Sequence, residues 1–148
     1  MKVFNRSFER NYEKLETFEV GISLTGAEAK SVFQGHIRLD DAFVRMMDGQ
    51  AYLINGDIMR YPFATQKGYD AKRSRRLLLH KKELLKLAIK TAAKGLTLAP
   101  VSCYTKGPFI KLEVALVRGR RDIEKKNVEK KRDIVREQKR EAKEWMKG

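Results

Sequence analysis

Apolar and polar residues alternate along several stretches of the chain, and this alternation predicts strands. From Phe18 to Leu24, in the stretch "FEVGISLTG", every second residue is apolar, which is the period of a half-buried strand. The stretches "LTLAPVSCY" (96–104) and "FIKLEVALVRG" (109–119) predict another strand pair, joined across 105–108. In "DAFVRMMDGQAYLING" (41–56), two β-prone runs flank an Asp-Gly pair. That pair tolerates the positive φ of a type I′ turn and so predicts a hairpin.

Two segments show helical signals instead of strand signals. Thr25 with Glu28 three residues later has the spacing of a capping box, and Gly35 is a stop signal, which predicts a short helix over about 27–34. The segment "HKKELLKLAIKTAAKG" (80–95) has apolar residues at helical spacing and a terminal glycine. It is expected to be the longest helix of the body.

Together these elements predict a mainly β protein. At least five strands in mostly antiparallel hairpins, with two or three helices between them, suggest a small closed or partly closed barrel of the OB type. A flat antiparallel sheet with helices on one side is the alternative. The segment 60–76 is polar and basic, so we expect a long exposed loop or extended segment there.

The net charge of the chain indicates the class of partner that it binds. The 148 residues carry a formal net charge of +14, and the segment from Arg118 to Gly148 holds thirteen Lys/Arg against seven Asp/Glu, or +6 of that total. The remaining +8 makes the body basic in its own right. A polyanion is therefore the first partner to consider, because phosphates neutralised by Lys or Arg release condensed counterions.

Other classes of function find little support in the sequence. No run approaches the roughly 18 apolar residues of a spanning helix, and the first 15 residues lack the apolar core of a signal peptide. We therefore expect a cytosolic protein without a membrane partner. The single cysteine, Cys103, lies in an apolar run and is expected to be buried and inert. His36 and His80 are far apart without ligand-spaced carboxylates, so neither a metal nor another cofactor is expected.

Six segments, in order along the chain, carry a resemblance to a known family. They are "NRSFERNY" (5–12), "FEVGISLTGAEAKS" (18–31), "NGDIMRY" (55–61), "DAKRSRRLLLHKKEL" (70–84), "KGLTLAP" (94–100) and "KLEVALVRGRR" (111–121). Their order resembles that of the small protein B (SmpB) family, the bacterial protein partners of transfer-messenger RNA. The resemblance implies an OB-like antiparallel β-barrel of about six strands with three helices, over residues 1–118. A basic C-terminal tail, 119–148, would follow.

The resemblance also implies a function. Members of the family bind the tRNA-like domain of transfer-messenger RNA and deliver it to stalled 70S ribosomes for trans-translation, in which incomplete proteins are tagged. The tail would enter the empty mRNA channel and meet small-subunit ribosomal RNA near the decoding centre. Elongation factor Tu and alanyl-tRNA synthetase are partners that the RNA brings, and no catalysis by the protein is implied. A generic basic ribosomal protein or RNA chaperone is the alternative, since it would need only the charge.

Two basic clusters lie in the body, Arg6 with Arg10 near the N-terminus and Lys72, Arg73, Arg75 and Arg76 before the long helix. Together with the matched motifs they predict a set of RNA-contacting residues. Glu19 matches a glutamate of the family's first long strand, and it could either pair with a neighbouring cation or accept hydrogen bonds from the RNA. Tyr61, Phe63 and Tyr69 accompany the basic segment before the long helix, where rings could stack on unpaired bases. The predicted residues are Asn5, Arg6, Tyr12, Glu19, Gly21, Lys30, Asn55, Arg73, Arg75, Arg76, Leu78 and His80.

The tail has its own pattern. Drawn as a helix, it places its apolar residues, from Ile123 to Trp145, within one arc of about 140°. We expect it to be disordered when free and an amphipathic helix on ribosomal RNA. Ile123 stands where the family often has histidine or an aromatic residue, so a stacking role there is lost. The predicted ribosome-contacting residues are Gly119, Arg120, Arg121, Ile123, Lys125, Lys126, Lys130, Lys131, Arg132 and Trp145.

Overall fold

The computed structural model describes residues 1–64, 67–93 and 95–147, with the side chains of residues 122 and 147 left out. Loop positions 65 and 66, position 94 of the "KGLTLAP" motif and the last residue of the tail lie outside the described residues. The strands are β1 (Lys2–Phe4), β2 (Tyr12–Ile22), β3 (Ile37–Arg38), β4 (Phe43–Met47), β5 (Gln50–Ile54), β6 (Asp57–Ile58), β7 (Arg75–Leu78), β8 (Leu96–Lys106) and β9 (Phe109–Gly119). The helices are α1 (Phe8–Asn11), α2 (Gly26–Phe33), α3 (Lys81–Thr91) and α4 (Asp122–Lys147).

Six of these strands close into a ring. The main sheet runs in the order β1-β8-β4-β5-β7-β2-β9, and β9 also pairs with β8. All of these pairings are antiparallel. The sheet is thus a barrel of six strands with β1 added outside the ring, and β3 and β6 form a separate two-stranded ribbon. The OB-like barrel is confirmed over the flat sheet because β9, at the end of the strand order, pairs back with β8 and closes the ring.

The predicted hairpins are present with their predicted turns. Asp48 and Gly49 have φ values of 51° and 75° between β4 and β5, as a type I′ turn requires. Gly107, with a φ of 60°, lies in the turn between β8 and β9. These turns set the register of β4 with β5 and of β8 with β9.

Some predicted boundaries were wrong. The first long strand begins at Tyr12, well before the predicted start, and ends at Ile22. The capping box is present, with both reciprocal hydrogen bonds between Thr25 and Glu28, but the helix spans Gly26–Phe33. In α3, Leu84 and Leu87 are buried while Leu85 is 63% exposed. None of the helices in the described ranges combines the length and the apolar content needed to cross a bilayer.

The largest correction concerns Arg75, in the segment 60–76 that was expected to be a long exposed loop or extended segment. Arg75 and Arg76 begin β7, and the Arg75 side chain is fully buried. Its Nε and Nη2 donate to the Glu28 carboxylate at 2.8 and 2.6 Å, and its Nη1 donates to the carbonyls of Gly56 and Ala71. A buried guanidinium persists only when its donors are satisfied in this way. Arg75 therefore ties α2 to the loop before β7.

Glu28 makes the stability of the barrel sensitive to acid. Burial alone would raise the pKa of Glu28, but hydrogen bonds from Arg73, the Thr25 backbone and Arg75 outweigh burial and hold it below its ordinary value of 4.5. A lowered carboxyl pKa contributes stability that is present above the unfolded-state pKa and is lost as pH falls through the folded-state pKa. We expect the free energy of unfolding, measured by urea denaturation, to decrease as the pH is lowered below about 4.5. In Glu28→Gln that pH dependence should be smaller, and an identical acid profile in the two proteins would contradict this.

Candidate nucleic-acid interface

Five outward residues form a continuous row across five neighbouring strands. Leu78 on β7 pairs with Gly21 on β2, and Gly21 pairs with Lys111 on β9. Lys111 pairs with Tyr104 on β8, and Tyr104 pairs with Lys2 on β1. We call these five residues the cross-strand row. The row places a half-exposed leucine and two lysines on one surface of the barrel, where an anionic, partly apolar ligand can lie against them.

Glu19 lies two residues before Gly21 on the same outward side of β2. Its carboxylate accepts hydrogen bonds from the Tyr104 hydroxyl and, at 3.3 Å, from Lys106 Nζ. These two hydrogen bonds lower the pKa of Glu19, so the group is an anion at neutral pH. Burial and then the hydrogen bond to Glu19 raise the pKa of Tyr104 to about 12. Of the two alternatives for Glu19, the cation pair is present, and contact with RNA stays a prediction.

The cross-strand row has a notch at Gly21, next to its Leu78 end. Gly21 has no side chain, so Leu78, Phe109 and Lys111 surround an open groove of about 240 Å³. Leu78 is 48% exposed and Phe109 is 63% exposed, and Lys111 Nζ lies 5.8 Å from the centre of the Phe109 ring. Apolar surface beside a cation suits a nucleotide, which offers both a flat ring and a phosphate.

The notch can be tested by filling it. A Cβ added at Gly21 would lie 3.1 Å from the Leu78 Cβ, whereas one added at Gly26 would meet nothing within 4 Å. We expect Gly21→Val to displace Leu78, fill the groove and weaken RNA binding about tenfold, or roughly 1.4 kcal/mol. Gly26→Val is the matched control and should bind as the unaltered chain does. Equal dissociation constants for the two variants in a fluorescence anisotropy titration would show that the notch is not used.

A second group of predicted residues lies around α2 and the following loop. Lys30 Nζ lies 5.4 Å from the centre of the Tyr61 ring, and Tyr61 meets Phe63 edge to face at 5.5 Å. Phe63 is 82% exposed. Arg73 is bound to Glu28 by one nitrogen at 2.6 Å while its side chain remains 46% exposed. These residues keep both a ring and a cation available to solvent, as the sequence predicts.

Two predicted contact residues are structural. Arg75 cannot meet a phosphate, because its guanidinium is fully buried on Glu28, and its prediction as a phosphate contact was wrong. Asn5 is also buried, and its side chain donates to the Pro100 carbonyl and accepts from Ser7. Arg75 was predicted as a phosphate contact because it lies in a run of arginines. Such a run does not reveal which arginine has a buried carboxylate partner.

The other predicted body residues lie at the surface or partly buried. Arg6, Asn55, Arg76 and His80 are exposed, and Tyr12 is half-buried against Phe8. Asn55 has a φ of 60°, a left-handed conformation that asparagine tolerates in a turn. His80 is the N-cap residue of α3 and makes no side-chain capping hydrogen bond. The imidazole of His80 is therefore not used in holding the helix.

The tail is described as one helix, α4, whose first turns contact α1. The Arg120 backbone donates to the Asn11 carbonyl at 2.8 Å, and Arg120 Nε donates to the carbonyls of Glu9 and Tyr12. Two ion pairs follow, Arg10 with Glu129 and Arg132 with Glu9. Further along, the apolar arc is open to solvent, with Trp145 86% exposed. The expectation of disorder in the free tail stays a prediction.

Sequence reasoning did not select several residues that the structure brings to this surface. Lys2, Tyr104, Lys106, Phe109 and Lys111 all lie beside Glu19 or in the cross-strand row. The alternation in β9 does put Lys111 on the polar side of that strand, which was the available signal. Its position opposite Gly21 depends on strand register, which the sequence does not display.

Comparisons with known proteins all point to one family. The sequence model described as "SmpB protein" matches residues 2–144. The SsrA-binding protein of Persephonella marina is 43% identical, over 90% of this chain and 88% of its own length. That of Coprothermobacter proteolyticus is 43% identical, over 97% and 98%. A solved structure reported as "tmRNA-SmpB: a journey to the center of the bacterial ribosome" matches with a TM-score of 0.68 at 38% identity. That match covers 86% of this chain and 93% of the other.

Proposed function

The chain belongs to the SmpB protein family, and from that premise we propose that it binds transfer-messenger RNA in trans-translation. In this proposal the body binds the tRNA-like domain of the RNA, and the protein delivers it to stalled 70S ribosomes, where incomplete proteins are tagged. The relatives are called SsrA-binding proteins, and the structural match concerns transfer-messenger RNA with its protein on the ribosome. The protein would act as a binding partner rather than as an enzyme, in the cytoplasm of a bacterium.

The observation that carries the proposal is the notch at Gly21 within the cross-strand row. An exposed leucine and an exposed phenylalanine flank it, with Lys111 beside them and the Glu19 carboxylate two residues away along β2. Lysines supply phosphate contacts that are blind to sequence. The apolar notch adds a requirement for shape, which is how proteins select folded RNA. This combination suits a tRNA-like fold better than a plain helix.

The tail would have a separate role on the ribosome. Its apolar arc is open to solvent: Ile123 is 68% exposed, Ile134 is 57% exposed and Trp145 is 86% exposed. Its excess cations would meet small-subunit ribosomal RNA near the decoding centre, in the empty mRNA channel. There, phosphates would neutralise the charge that keeps an isolated basic segment from folding. Elongation factor Tu and alanyl-tRNA synthetase would join through the RNA.

The alternative is a generic basic ribosomal protein or RNA chaperone. It needs only the net charge of +14 and predicts binding to any RNA hairpin of similar size. It gives no reason for a notch whose walls are apolar. We therefore retain it only as the competing explanation for RNA binding that is not selective.

The proposal is tested by reconstituting tagging on ribosomes stalled at the end of a truncated message. With transfer-messenger RNA present, adding this chain should raise the fraction of incomplete protein that receives the tag from background to most of the product. Leaving the chain out, or replacing it with Gly21→Val at limiting concentration, should lower that fraction. Tagging at the same level without the chain would refute the proposal.

A further inference from the structure

A second groove lies along the free edge of β1, away from the notch at Gly21. We call it the β1 groove. It encloses about 410 Å³, within the range of roughly 300–1,000 Å³ that small-ligand sites occupy. Its walls come from β1, from Arg6 after it, and from the segment 35–40, which contains β3. They include Lys2, Phe4, Arg6, Gly35, Arg38 and Asp40. The groove is thus built from three parts of the chain that the fold brings together.

The β1 groove carries a net positive charge. Three of its residues, Lys2, Arg6 and Arg38, are exposed cations, against one carboxylate. That carboxylate, on Asp40, accepts a hydrogen bond from the Arg6 backbone at 3.2 Å. Within the described ranges, none of the three cations takes part in an ion pair. All three charges are therefore available to an anion.

An aromatic ring lies among these charges. Phe4 is 58% exposed although it belongs to a strand, and Lys2 Nζ lies 5.0 Å from the centre of its ring. The Phe4 ring is therefore accessible to a ligand. A ring beside cations is the combination that unpaired nucleic acid uses, because bases stack on the ring while phosphates meet the cations.

The edge of β1 adds hydrogen-bonding groups to the groove. The strand pairs with β8 on one side only and ends the strand order of the sheet. All three residues of β1, together with Ile37, line the groove, so the groove lies along this strand. An unpaired strand edge presents backbone donors and acceptors, which can meet the polar edge of a base.

We propose that the β1 groove binds a short unpaired RNA strand, with Phe4 stacking on a base while Lys2 and Arg38 contact phosphates. The proposal takes from the proposed function only that the partner is RNA, and it adds a contact surface separate from the notch. An extended peptide could also pair with the β1 edge, but a peptide would not require three unpaired cations around an exposed ring. RNA is therefore the occupant that the charges favour.

The first test compares neutralised variants of the full chain. The probe is a fluorescein-labelled oligouridylate of eight nucleotides, titrated at several salt concentrations. In Lys2→Gln/Arg38→Gln, the slope of log affinity against log salt should fall by about 1.4, since each phosphate contact to a single strand contributes about 0.7. Arg45→Gln/Lys86→Gln removes two exposed charges outside the groove and should change the slope by less than half as much. Equal changes in the two double variants would overturn the proposal.

The ring is tested without changing the charge. Phe4→Leu keeps an apolar side chain but removes the stacking surface, so we expect the affinity for the oligouridylate to fall about fivefold. Phe109→Leu is the comparison variant, because Phe109 is also an exposed strand phenylalanine next to a lysine but lies at the notch. A loss in Phe109→Leu as large as or larger than that in Phe4→Leu would assign the strand to the notch and would overturn the proposal.

A site-resolved measurement completes the test. Titrating the isotope-labelled full chain with the oligouridylate should shift the backbone amide signals of Val3, Phe4 and Arg38 in NMR spectra. Shifts confined to α4 or to the notch residues Gly21, Leu78 and Lys111, with none around β1, would overturn the proposal. Such a failure would leave a preference for the tRNA-like domain intact. A failure of the proposed function would instead abolish that preference while the amide shifts around β1 remained.

Discussion

Removing the tail before Asp122 is expected to abolish tagging on stalled ribosomes while leaving the affinity for the isolated tRNA-like domain within about twofold of the full chain. The reason is that the body is expected to bind the isolated RNA, whereas the tail is expected to act only on the ribosome. The notch, the cross-strand row and Glu19 all lie on the barrel, and α4 supplies none of these residues. The tail residues would be needed only where the mRNA channel is empty.

The structure indicates that the shortened body remains folded. Arg120 precedes the cut, and it keeps its hydrogen bonds to the carbonyls of Glu9, Asn11 and Tyr12. The buried cluster next to α1 consists of Phe8, Ala99, Ala115 and Val117, with Tyr12 and Val101 packed on it, and α4 contributes nothing to it. The ion pairs lost with α4 are exposed, and such pairs contribute about 0–1 kcal/mol each.

A variant with a scrambled tail distinguishes the effect of the apolar arc from the effect of the net charge of the tail. A variant in which residues 122–147 are rearranged keeps the composition and the net charge but loses the apolar arc. We expect it to tag no better than the truncated chain, because the charge alone does not form the amphipathic helix. Tagging restored by the scrambled tail would mean that charge suffices. Loss of binding to the isolated RNA on truncation would instead mean that the tail belongs to the RNA-binding surface.

Replacing Arg75 with methionine is expected to lower the free energy of unfolding by about 3–5 kcal/mol, the typical cost of breaking a buried ion pair from one side. The change removes the two hydrogen bonds that the buried Arg75 guanidinium donates to the Glu28 carboxylate, and it leaves the carbonyls of Gly56 and Ala71 without the Arg75 donor. Domains of this size are stable by about 5–15 kcal/mol, so the loss is a large fraction of the total.

The control for Arg75 is its neighbour on the same carboxylate. Arg73→Met also removes a guanidinium from Glu28, but the Arg73 side chain is 46% exposed, so its loss should cost about 1 kcal/mol or less. The measurement is urea denaturation followed by circular dichroism, because the single tryptophan, Trp145, lies in the tail and does not report on the barrel. Equal losses in the two variants would contradict the structural role assigned to Arg75.

The sequence could predict those features of the fold that depend on residues close together along the chain. The Asp48-Gly49 turn and the Thr25 capping box each involve residues a few positions apart, and both are confirmed. The alternation in β9 holds only from Lys111 to Val114, because the following residues to Val117 are buried on both faces of the strand. The six-strand barrel followed from the resemblance and from the hairpin pattern together. Short-range turn chemistry and strand period thus fix much of the architecture.

What the sequence could not predict depends on residues far apart along the chain. Arg75 meets Glu28 across 47 positions, and only that encounter tells a structural arginine from its exposed neighbours Arg73 and Arg76. Lys111 comes to lie opposite Gly21 through the register of β2 on β9. The candidate site was therefore predicted in part, through the family motif residues Glu19, Gly21 and Leu78, while its lysines and aromatic rings required the register.

The central claim is that this chain selects a tRNA-like fold rather than RNA in general. The most direct measurement is a competition between the tRNA-like domain and a plain hairpin of equal length for the purified full chain, in about 0.2 M salt. We predict a preference for the tRNA-like domain of at least about tenfold, or roughly 1.4 kcal/mol. Gly21→Val should reduce that preference and Gly26→Val should keep it. Equal affinity of the unaltered chain for the two RNAs would contradict the account.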